Sequence, residues 1–418
     1  MQTLKLTKKY EKYPEYKDSG VEWLGKIPKG WESSKLRNVL RSNIVDGPHE
    51  TPKYVDDGIP FISVDSIEDN EKVNLDVVKK FITDEQYAEY NKKTKLTKGD
   101  ILFTKAASIG RVAIVDDRKF MTWSPLAIIK PNAKEIDFKY LYYVLKSNKF
   151  VESVVNNCSF NTQLNIGMKV LEKSIIAAPD SIEEQEKIVR YLDKKTSYID
   201  QIVEKKEKQI ELLREEIISI AQNEQENGKG ELMNIGNLVN LYQDKIKIDD
   251  YTEYITLGLY NRGRGIFHKD TLLGKDIGDS DFLKVKPRDL IISGQFAWEG
   301  AVALASVHES DCVVSHRYHL LKDGVIKTEY LLALLMTKFG DHILNESSRG
   351  SAGRNRPLNI KILLKEKIRV PSKEAETKIK SLLIKMNSAQ DNIKKSINLL
   401  EEYKSSLISN VVTGKIKI

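Results

Sequence analysis

Cysteine is almost absent from this 418-residue sequence, which contains only Cys158 and Cys312. The two residues lie far apart and do not match in the repeat described below, so neither a disulfide framework nor a cysteine-based zinc site is expected. Long apolar runs are also missing, and none reaches the roughly 18 residues that a transmembrane helix needs. The opening stretch MQTLKLTKKYEKYPEYKDSG is too polar for a signal peptide. We therefore expect a cytoplasmic protein without a membrane partner.

The sequence also lacks the motifs of common catalytic and nucleotide-binding sites. It contains no G-x-x-x-x-G-K-[ST] phosphate loop, no G-x-G-x-x-G pattern and no Asn-Pro-Pro-aromatic motif of amino-methyltransferases. Ser315 and His316 are adjacent in a strand-like run, where neighbouring side chains point to opposite faces, so they do not form a nucleophile and base pair. We expect a non-catalytic chain with no cofactor or metal of its own.

Composition gives only broad limits on the fold and the partner. Hydrophobic residues make up 40% and charged residues 30% of the chain, as in ordinary globular proteins. The length suits two to four domains. The net charge of +7 permits a polyanionic partner without requiring one.

The most informative feature is a long internal repeat. LNIGMKVLEKSIIAAPDSIEEQEKI begins at Leu164, and LNIKILLKEKIRVPSKEAETKI begins at Leu358, 194 residues later. Upstream, residues 98–115 align with 287–304 as predicted hairpins, and 138–150 align with 328–340 as predicted short amphipathic helices. A repeat of this length indicates a whole module used twice rather than a solenoid unit.

Each copy ends in a long predicted helix. A proline followed by Asp or Ser, at Pro179 and at Pro371, is a helix-start signal. Apolar residues then recur in steps of three and four, which predicts a coiled-coil seam interrupted at Lys206. The predicted seam residues are Val189, Leu192, Ile199, Val203, Ile210 and Leu213 in the first helix and Ile379, Met386, Ile393 and Leu400 in the second. We predict that the two helices pack on each other, antiparallel, with the polar segment 223–231 as a linker.

The remaining candidate site residues lie in polar, basic or glycine-bearing loops at matching places of the two copies. Arginine is suited to guanine edges and phosphates, asparagine and glutamine to adenine edges, and serine and threonine to phosphates. The stretch SSRGSAGRNRP (347–357) aligns with NNCSFNTQ (156–163) in the repeat. One is basic and the other is polar but uncharged, so the same scaffold carries two different loop chemistries. The candidate DNA-binding residues are His49, Lys53, Lys105, Arg111, Asn161, Thr162, Gln163, Arg262, Arg264, Lys269, Arg349, Arg354 and Arg356.

The sequence resembles the specificity subunits of type I restriction-modification systems. The resemblance is carried by YKDSGVEWLGKIPKGWE (16–32), DGPHETPKYVDDGIPFISVDSI (46–67), the stretch from Pro179 through EEQEKIVRYLDKKTSYID (179–200) and LLEEYKSSLISNVVTGKIKI (399–418). It implies an α+β fold, with two mixed α/β target recognition domains separated by two long antiparallel coiled-coil helices and related by a pseudo-twofold repeat. The implied first target recognition domain, with the amino-terminal segment, is 1–180, and the central long helix is 181–227. The implied second target recognition domain is 228–371, and the distal long helix with the tail is 372–418.

The resemblance also implies a division of labour. Each target recognition domain would read half of a split site in double-stranded DNA, and the helices would set the spacing and dock two methyltransferase subunits. S-adenosylmethionine, ATP and Mg²⁺ would bind to the methyltransferase and restriction subunits. Two alternatives remain: an enzyme, which would need motifs that the sequence lacks, and a coiled-coil scaffold that binds only proteins.

Overall fold

The computed structural model describes residues 10–68, 71–158, 165–278, 280–348 and 356–418. The chain forms two compact units: the first contains the described residues up to Val203 together with Ile397–Ile418, and the second is Glu204–Ser396. Within the described ranges, no helix has both the length and the apolar character needed to cross a bilayer.

The first unit combines short strands with helices. Its described strands are β1 Tyr16–Asp18, β2 Lys26–Pro28, β3 Trp31–Lys35, β4 Val45–Asp46, β5 Ile59–Ile62, β6 Phe81–Ile82, β7 Ile101–Thr104, β8 Val112–Ile114, β9 Met121–Thr122, β10 Leu126–Ile129 and β11 Ile175–Pro179. Its α-helices are α1 Asp84–Thr94, α2 Phe138–Lys146, α3 Asn148–Asn156, α4 Met168–Lys173 and the first part of α5 Ile182–Asn227.

The second unit contains the rest of α5 and a similar series of elements. Its described strands are β12 Leu232–Asn234, β13 Val239–Tyr242, β14 Lys245–Ile246, β15 Glu253–Leu259, β16 Ile266–Leu273, β17 Phe282–Lys284, β18 Leu290–Ser293, β19 Val302–Leu304, β20 Val313–Ser315, β21 Tyr318–Asp323 and β22 Lys367–Arg369. Its α-helices are α6 Ile235–Leu238, α7 Thr328–Leu335, α8 Lys338–Glu346, α9 Ile360–Leu363 and the first part of α10 Lys373–Val412, whose last part belongs to the first unit.

The two units have matching sheet topologies. The order β4-β10-β7-β8 in the first corresponds to β13-β21-β18-β19 in the second, and both sheets are antiparallel. Among the described strands, β5 pairs in parallel with β9 in the first unit and β15 with β20 in the second. In each copy, an early strand pairs antiparallel with the last strand: β3 with β11 in the first unit and β12 with β22 in the second. The repeat in the sequence is therefore a repeat of chain topology, and the predicted hairpins are present as β7–β8 and β18–β19.

Burial on both faces explains why three of the four residues in each central strand, β7 and β18, are apolar. All four residues of β7 and all four of β18 are buried, because one sheet face packs on helices and the other on a second apolar cluster. In the first unit Phe103, Tyr140 and Leu192 belong to one core, and the Tyr140 hydroxyl donates to the Ala177 carbonyl over 2.9 Å.

Each predicted amphipathic helix is divided into two. The Ser147 hydroxyl caps α3 by accepting from the Phe150 amide, and the Thr337 hydroxyl caps α8 by accepting from the Gly340 amide. A hydroxyl at an N-cap favours a new helix start over continuation of the preceding helix. The short helices α4 and α9, between Leu-Asn-Ile and the last strand, were not predicted either.

The long helices are attached to their own units in matching ways. The buried Gln185 side chain accepts from the Asp137 amide over 2.8 Å, and Glu376 accepts from the Lys327 amide over 2.7 Å. Both contacts join the first turns of a long helix to the start of the helix pair that packs against the sheet. Glu376 thus makes the same contact as the glutamine of the first copy.

Parts of α5 and α10 run side by side in opposite directions within each unit. In the first unit, Lys404 pairs with Asp200 at 2.7 Å, while residues near Ile188 and Val412 share one core. In the second, Lys378 pairs with Glu216 at 3.5 Å and Ser372 donates to Glu224. Every predicted seam residue is buried or half-buried; these are Val189, Leu192, Ile199, Val203, Ile210, Leu213, Ile379, Met386, Ile393 and Leu400.

The predicted linker at 223–231 is wrong in its first half. Residues 223–227 are the end of α5. The Gln225 side chain accepts from the Arg369 amide over 2.9 Å, and the Glu224 carboxylate accepts from the Ser372 amide over 2.9 Å. A polar composition indicated a flexible segment, but these side chains bind the segment that precedes α10.

Candidate nucleic-acid interface

In each unit, the Leu-Asn-Ile segment that follows a predicted polar loop is hydrogen-bonded to the turn of a hairpin. The Ile166 amide donates to the Lys105 carbonyl over 2.9 Å, and the Leu358 amide donates to the Gly294 carbonyl over 2.8 Å. Lys105 and Gly294 directly follow the first strands of the two predicted hairpins. The loops themselves, with the candidates Asn161, Thr162, Gln163, Arg349 and Arg354, lie outside the described residues.

The second unit brings two further turns together beside this anchor. The Arg262 amide donates to the Glu299 carbonyl over 2.9 Å, and the Gly263 amide donates to the Gly300 carbonyl over 2.7 Å. A Cβ on Gly300 would lie 3.1 Å from the Arg262 Cα, and Gly300 has a φ of +69°. Glycine is required there because both the close approach and the left-handed conformation disfavour a side chain.

Two arginines lie close to aromatic rings where these two turns meet. The Arg356 guanidinium lies 5.4 Å from the Trp298 ring centre, and its Nε donates to the Ser348 carbonyl over 3.2 Å. The Arg264 guanidinium lies 5.8 Å from the Tyr260 ring centre. Arg262 and Arg264 are exposed and Arg356 is half-buried. We call Arg262, Arg264 and Arg356 the arginine cluster; it combines cationic donors with ring faces, as nucleic-acid sites do.

A fourth arginine lies behind the cluster. Arg214, on α5, is half-buried, and one of its terminal nitrogens would lie 3.5 Å from a Cβ placed on Gly263. Burial lowers the pKa of Arg214, and the charge of Arg264 lowers it further. The positive charges therefore repel each other, and a polyanion at this surface would relieve that repulsion.

The first unit gathers its basic candidates around a buried carboxylate. Lys105 Nζ lies 2.8 Å from Asp46 Oδ2, and the side chains of these two residues are 8% and 1% exposed. His49 Nε2 lies 3.2 Å from the same oxygen, and Lys93 Nζ lies 3.5 Å from Oδ1. Burial alone would raise the pKa of Asp46, but the hydrogen bond and charge of Lys105, with smaller contributions from His49 and Lys93, outweigh it and the pKa is lowered.

Lys105 is consequently in the interior and not on a contact surface. Its ammonium group neutralises Asp46, so the structure does not support the prediction that Lys105 contacts DNA directly. His49 is exposed and also bonds to the Ser124 hydroxyl over 2.9 Å. Both ring nitrogens of His49 are therefore engaged, Nε2 with Asp46 and Nδ1 with Ser124.

The other candidates are more dispersed. Arg111 is exposed and donates to the Ile67 carbonyl over 3.3 Å. It lines an open groove of about 410 Å³ with Lys146 and Lys404. Lys53 and Lys269 are exposed, and no described contact joins Lys269 to the arginine cluster.

Comparison with known proteins finds a similarity in the first half of the chain. The family model of the type I restriction modification DNA specificity domain matches residues 28–212. Residues 28–212 are thus similar to a type I restriction modification DNA specificity domain. This region covers β3 to β11 and the first part of α5, so it contains the hairpin turn, the polar loop and the Asp46 centre.

Two curated relatives share the similarity. The chain is 31% identical over 179 residues to the EcoBI specificity subunit of Escherichia coli, and 28% identical over 212 residues to the MjaIX specificity subunit of Methanocaldococcus jannaschii. The alignments cover 42% and 50% of this chain, and 37% and 46% of the relatives. The chain thus matches less than half the length of either relative.

A solved structure shows that the similarity in fold extends beyond residues 28–212. A chain of a type I R-M system, solved in work on complex assembly and conformational transition, superposes with a TM-score of 0.57 at 12% identity. The superposition covers 92% of this chain and 98% of that chain. At this identity, the likeness is one of fold alone.

Sequence reasoning missed several residues at the site. Trp298, Tyr260, Arg214 and Lys93 were not selected, although each is close to a selected residue. Trp298 and Phe296 lie in GQFAWEG (294–300), where two aromatic residues in a glycine-flanked turn could have indicated a stacking surface. Arg214 gave no such signal, because its position on a long charged helix is typical of a solvated face.

Proposed function

We propose that this chain is the DNA-recognition subunit of a type I restriction-modification complex, and that each unit reads one half of a bipartite site. The observation that carries the proposal is the repeated hydrogen bond between a hairpin turn and the Leu-Asn-Ile segment that follows a predicted polar loop. The topology is the same in both copies, but the loop chemistry differs. Two different half-sites require one scaffold with two sets of reading side chains.

The second unit supplies the clearest chemistry for reading DNA. Arginine donates two parallel hydrogen bonds to the O6 and N7 atoms of guanine, or to two phosphate oxygens. Arg262 and Arg264 are exposed for such contacts, and Arg356 is held in place by Trp298 and Ser348. In the first unit, His49 and Lys93 at the Asp46 centre and the polar loop take the corresponding role.

The long helices have a separate role in the proposal. Their antiparallel segments, with an apolar stripe facing the partner helix, would fix the separation of the two half-sites and dock two methyltransferase subunits. Methyl transfer from S-adenosylmethionine would belong to those subunits, and ATP-driven cleavage to restriction subunits. The chain itself would be a non-catalytic cytoplasmic protein.

A scaffold that binds only proteins is the second candidate function. It would account for the apolar stripe, but it gives no role to the arginine cluster. Gel-shift titrations with duplex DNA at several salt concentrations, with and without the methyltransferase partner, separate the two. A DNA reader loses affinity steeply as salt rises, since each neutralised phosphate releases counterions. Absence of DNA binding by the assembled complex would contradict the proposal.

Exchange of residues 33–178 with the same region of a relative should change one half of the recognised site and leave the other half intact. The two junctions are adjacent, because Glu32 pairs with Ala178 and Ser33 with Ala177 in the β3–β11 ladder. The exchanged segment therefore enters and leaves through one two-stranded pair. Methylome sequencing of a host that expresses the hybrid gives the result, and the reciprocal exchange in the second unit is the control. A change in both halves would show that the units do not read independently.

Insertion of four helix-forming residues after Ile210 should widen the preferred gap between the half-sites. Four residues add about 6 Å of helix, which corresponds to one or two base pairs at about 3.4 Å each. Binding sites selected from a library with randomised gaps report the preferred spacing. The same insertion after the exposed Gly278, outside the helices, is the matched control. If the variant at Ile210 folds and still selects the parental gap, the spacing role belongs to the partner subunits.

A further inference from the structure

The amino-terminal motif YKDSGVEWLGKIPKGWE takes no part in the function proposed above, yet it forms one wall of an open cavity in the first unit. The cavity has a volume of about 570 Å³, within the usual range for small-molecule sites. The charged and titratable side chains on its walls are Lys12, Tyr16, Glu22, Lys26, Lys149 and Lys415. Four of the six carry positive charge.

Lys149 and Lys415 come together from distant parts of the chain. Lys149 lies in the first turn of α3, where the helix dipole also places positive potential. Lys415 follows the end of α10, and its amide donates to the Asn410 carbonyl over 2.9 Å. The adjacent ammonium group of Lys149 lowers the pKa of Lys415 to about 8, and burial adds to the effect.

The fold provides little compensation for this concentrated charge. Among the described residues, none of the four lysines forms a salt bridge, and the Glu22 carboxylate on the wall is not paired with any of them. Neighbouring side chains hold this part of the unit together: the Tyr16 hydroxyl donates to the Gly414 carbonyl over 3.2 Å, and Trp23 packs edge-to-face on Phe150. Two like charges are thus held together by contacts that do not involve them.

A tetrahedral dianion is the ligand chemistry that suits this arrangement. A phosphate group has several acceptor oxygens, so it can bridge two adjacent ammonium groups and neutralise both. A cation is excluded by the same charge. We propose that the cavity lined by Lys12, Lys26, Lys149 and Lys415 is a binding site for a phosphate group.

Phosphate could reach the site as part of a nucleic-acid backbone or in a small molecule. The cavity lies in the first unit, and its lining does not overlap the candidate DNA-binding residues. This makes the proposal independent of which bases are read. The site can be tested even if the chain does not read DNA.

Titration of the full-length protein with inorganic pyrophosphate at pH 7 and constant ionic strength tests the site. We expect saturable binding at one site, weakened at least tenfold in the double variant Lys149→Gln/Lys415→Gln. The charge-preserving variant Lys149→Arg/Lys415→Arg should retain binding. The matched control, Lys394→Gln/Lys395→Gln on the exposed face of α10, removes the same charge and should bind as the unmodified protein does.

The pH dependence of pyrophosphate binding is a second test of the same site. Lys415 loses its charge as pH rises through about 8, whereas arginine stays charged. Between pH 7 and 9, the affinity of the unmodified protein for pyrophosphate should therefore fall relative to that of Lys415→Arg. Thermal melts identify any variant that has lost its fold.

DNA titrations of the same variants identify the source of the phosphate. A loss of DNA affinity and a shallower salt dependence in the glutamine variant would indicate a backbone phosphate. Unchanged DNA affinity together with lost pyrophosphate binding would indicate a small molecule. The proposal is overturned if pyrophosphate binds the glutamine variant as well as the unmodified protein, or binds neither. It is equally overturned if the variant loses only its affinity for a methyltransferase partner, since the lysines would then serve an acidic protein surface.

Discussion

Replacement of Asp46 by asparagine should lower the free energy of unfolding by about 3–5 kcal/mol, the usual cost of removing one partner from a buried ion pair. The substitution conserves volume but leaves the Lys105 ammonium group in the interior without its carboxylate, 2.8 Å away in the native protein. His49 and Lys93 lose the same partner, so the surface around them should be disturbed as well. Chemical denaturation of the two proteins at pH 7 measures the difference.

The control is an ion pair of the same type at the surface. Asp117 pairs with Lys98 at 2.6 Å, but the two side chains are 77% and 67% exposed. Solvent screens such a pair, so Asp117→Asn should change the free energy of unfolding far less than Asp46→Asn does. Equal effects of the two substitutions would show that the Asp46 centre is not an interior pair.

The pH dependence of the Asp46 effect has a definite sign. The pKa of Asp46 is lowered below its ordinary value of 3.8 in the folded protein. A depressed carboxyl pKa contributes stability above the unfolded pKa, and that contribution is lost as pH falls through the folded pKa. The difference in the free energy of unfolding between the native protein and Asp46→Asn should therefore be constant near neutral pH. It should become smaller only under strongly acidic conditions.

Substitution of glutamine for Arg262, Arg264 and Arg356 together should greatly weaken DNA binding by the assembled complex. Each arginine that contacts a base edge should cost about 1–3 kcal/mol, with relaxed discrimination at its position. Each one that contacts a phosphate should reduce the salt slope by about one unit. Fluorescence anisotropy with recognised and scrambled duplexes, at several salt concentrations, separates these two contributions.

Charge alone would not explain a loss confined to this surface. The control variant carries Lys380→Gln, Lys385→Gln and Lys394→Gln, three exposed positions of α10 in the same unit. It removes the same formal charge and should retain most of the affinity. If the two triple variants lose the same affinity with the same salt slope, the arginine cluster acts only through long-range charge and does not touch DNA.

The sequence predicted the fold in its coarse form because its strongest signals are periodic and local. The α+β class and the two long helices are confirmed, and the likeness in fold to a type I R-M chain agrees with them. Apolar residues at steps of three and four gave the long helices, and the paired Leu-Asn-Ile segments gave the repeat. Such patterns depend on neighbours within a few residues, which a sequence displays directly.

The details that failed depend on contacts between distant residues. Lys105 looked like a surface cation until Asp46, 59 residues earlier, was found beside it. The polar residues Glu224 and Gln225 looked like a linker because their partners, Ser372 and Arg369, lie more than 140 residues away. Polar side chains are equally compatible with solvent and with a specific partner, and only the tertiary fold distinguishes these cases.

The division of the chain has a consequence for folding during synthesis. The second unit is one uninterrupted segment, Glu204–Ser396, whereas the first also needs Ile397–Ile418. Leu407, Ile408, Val411 and Val412 of that later segment are buried in the same core as Tyr140 and Leu192. During synthesis, the first unit therefore cannot complete its core until the second unit and the segment Ile397–Ile418 have left the ribosome. Until then, part of the apolar core of the first unit stays uncovered.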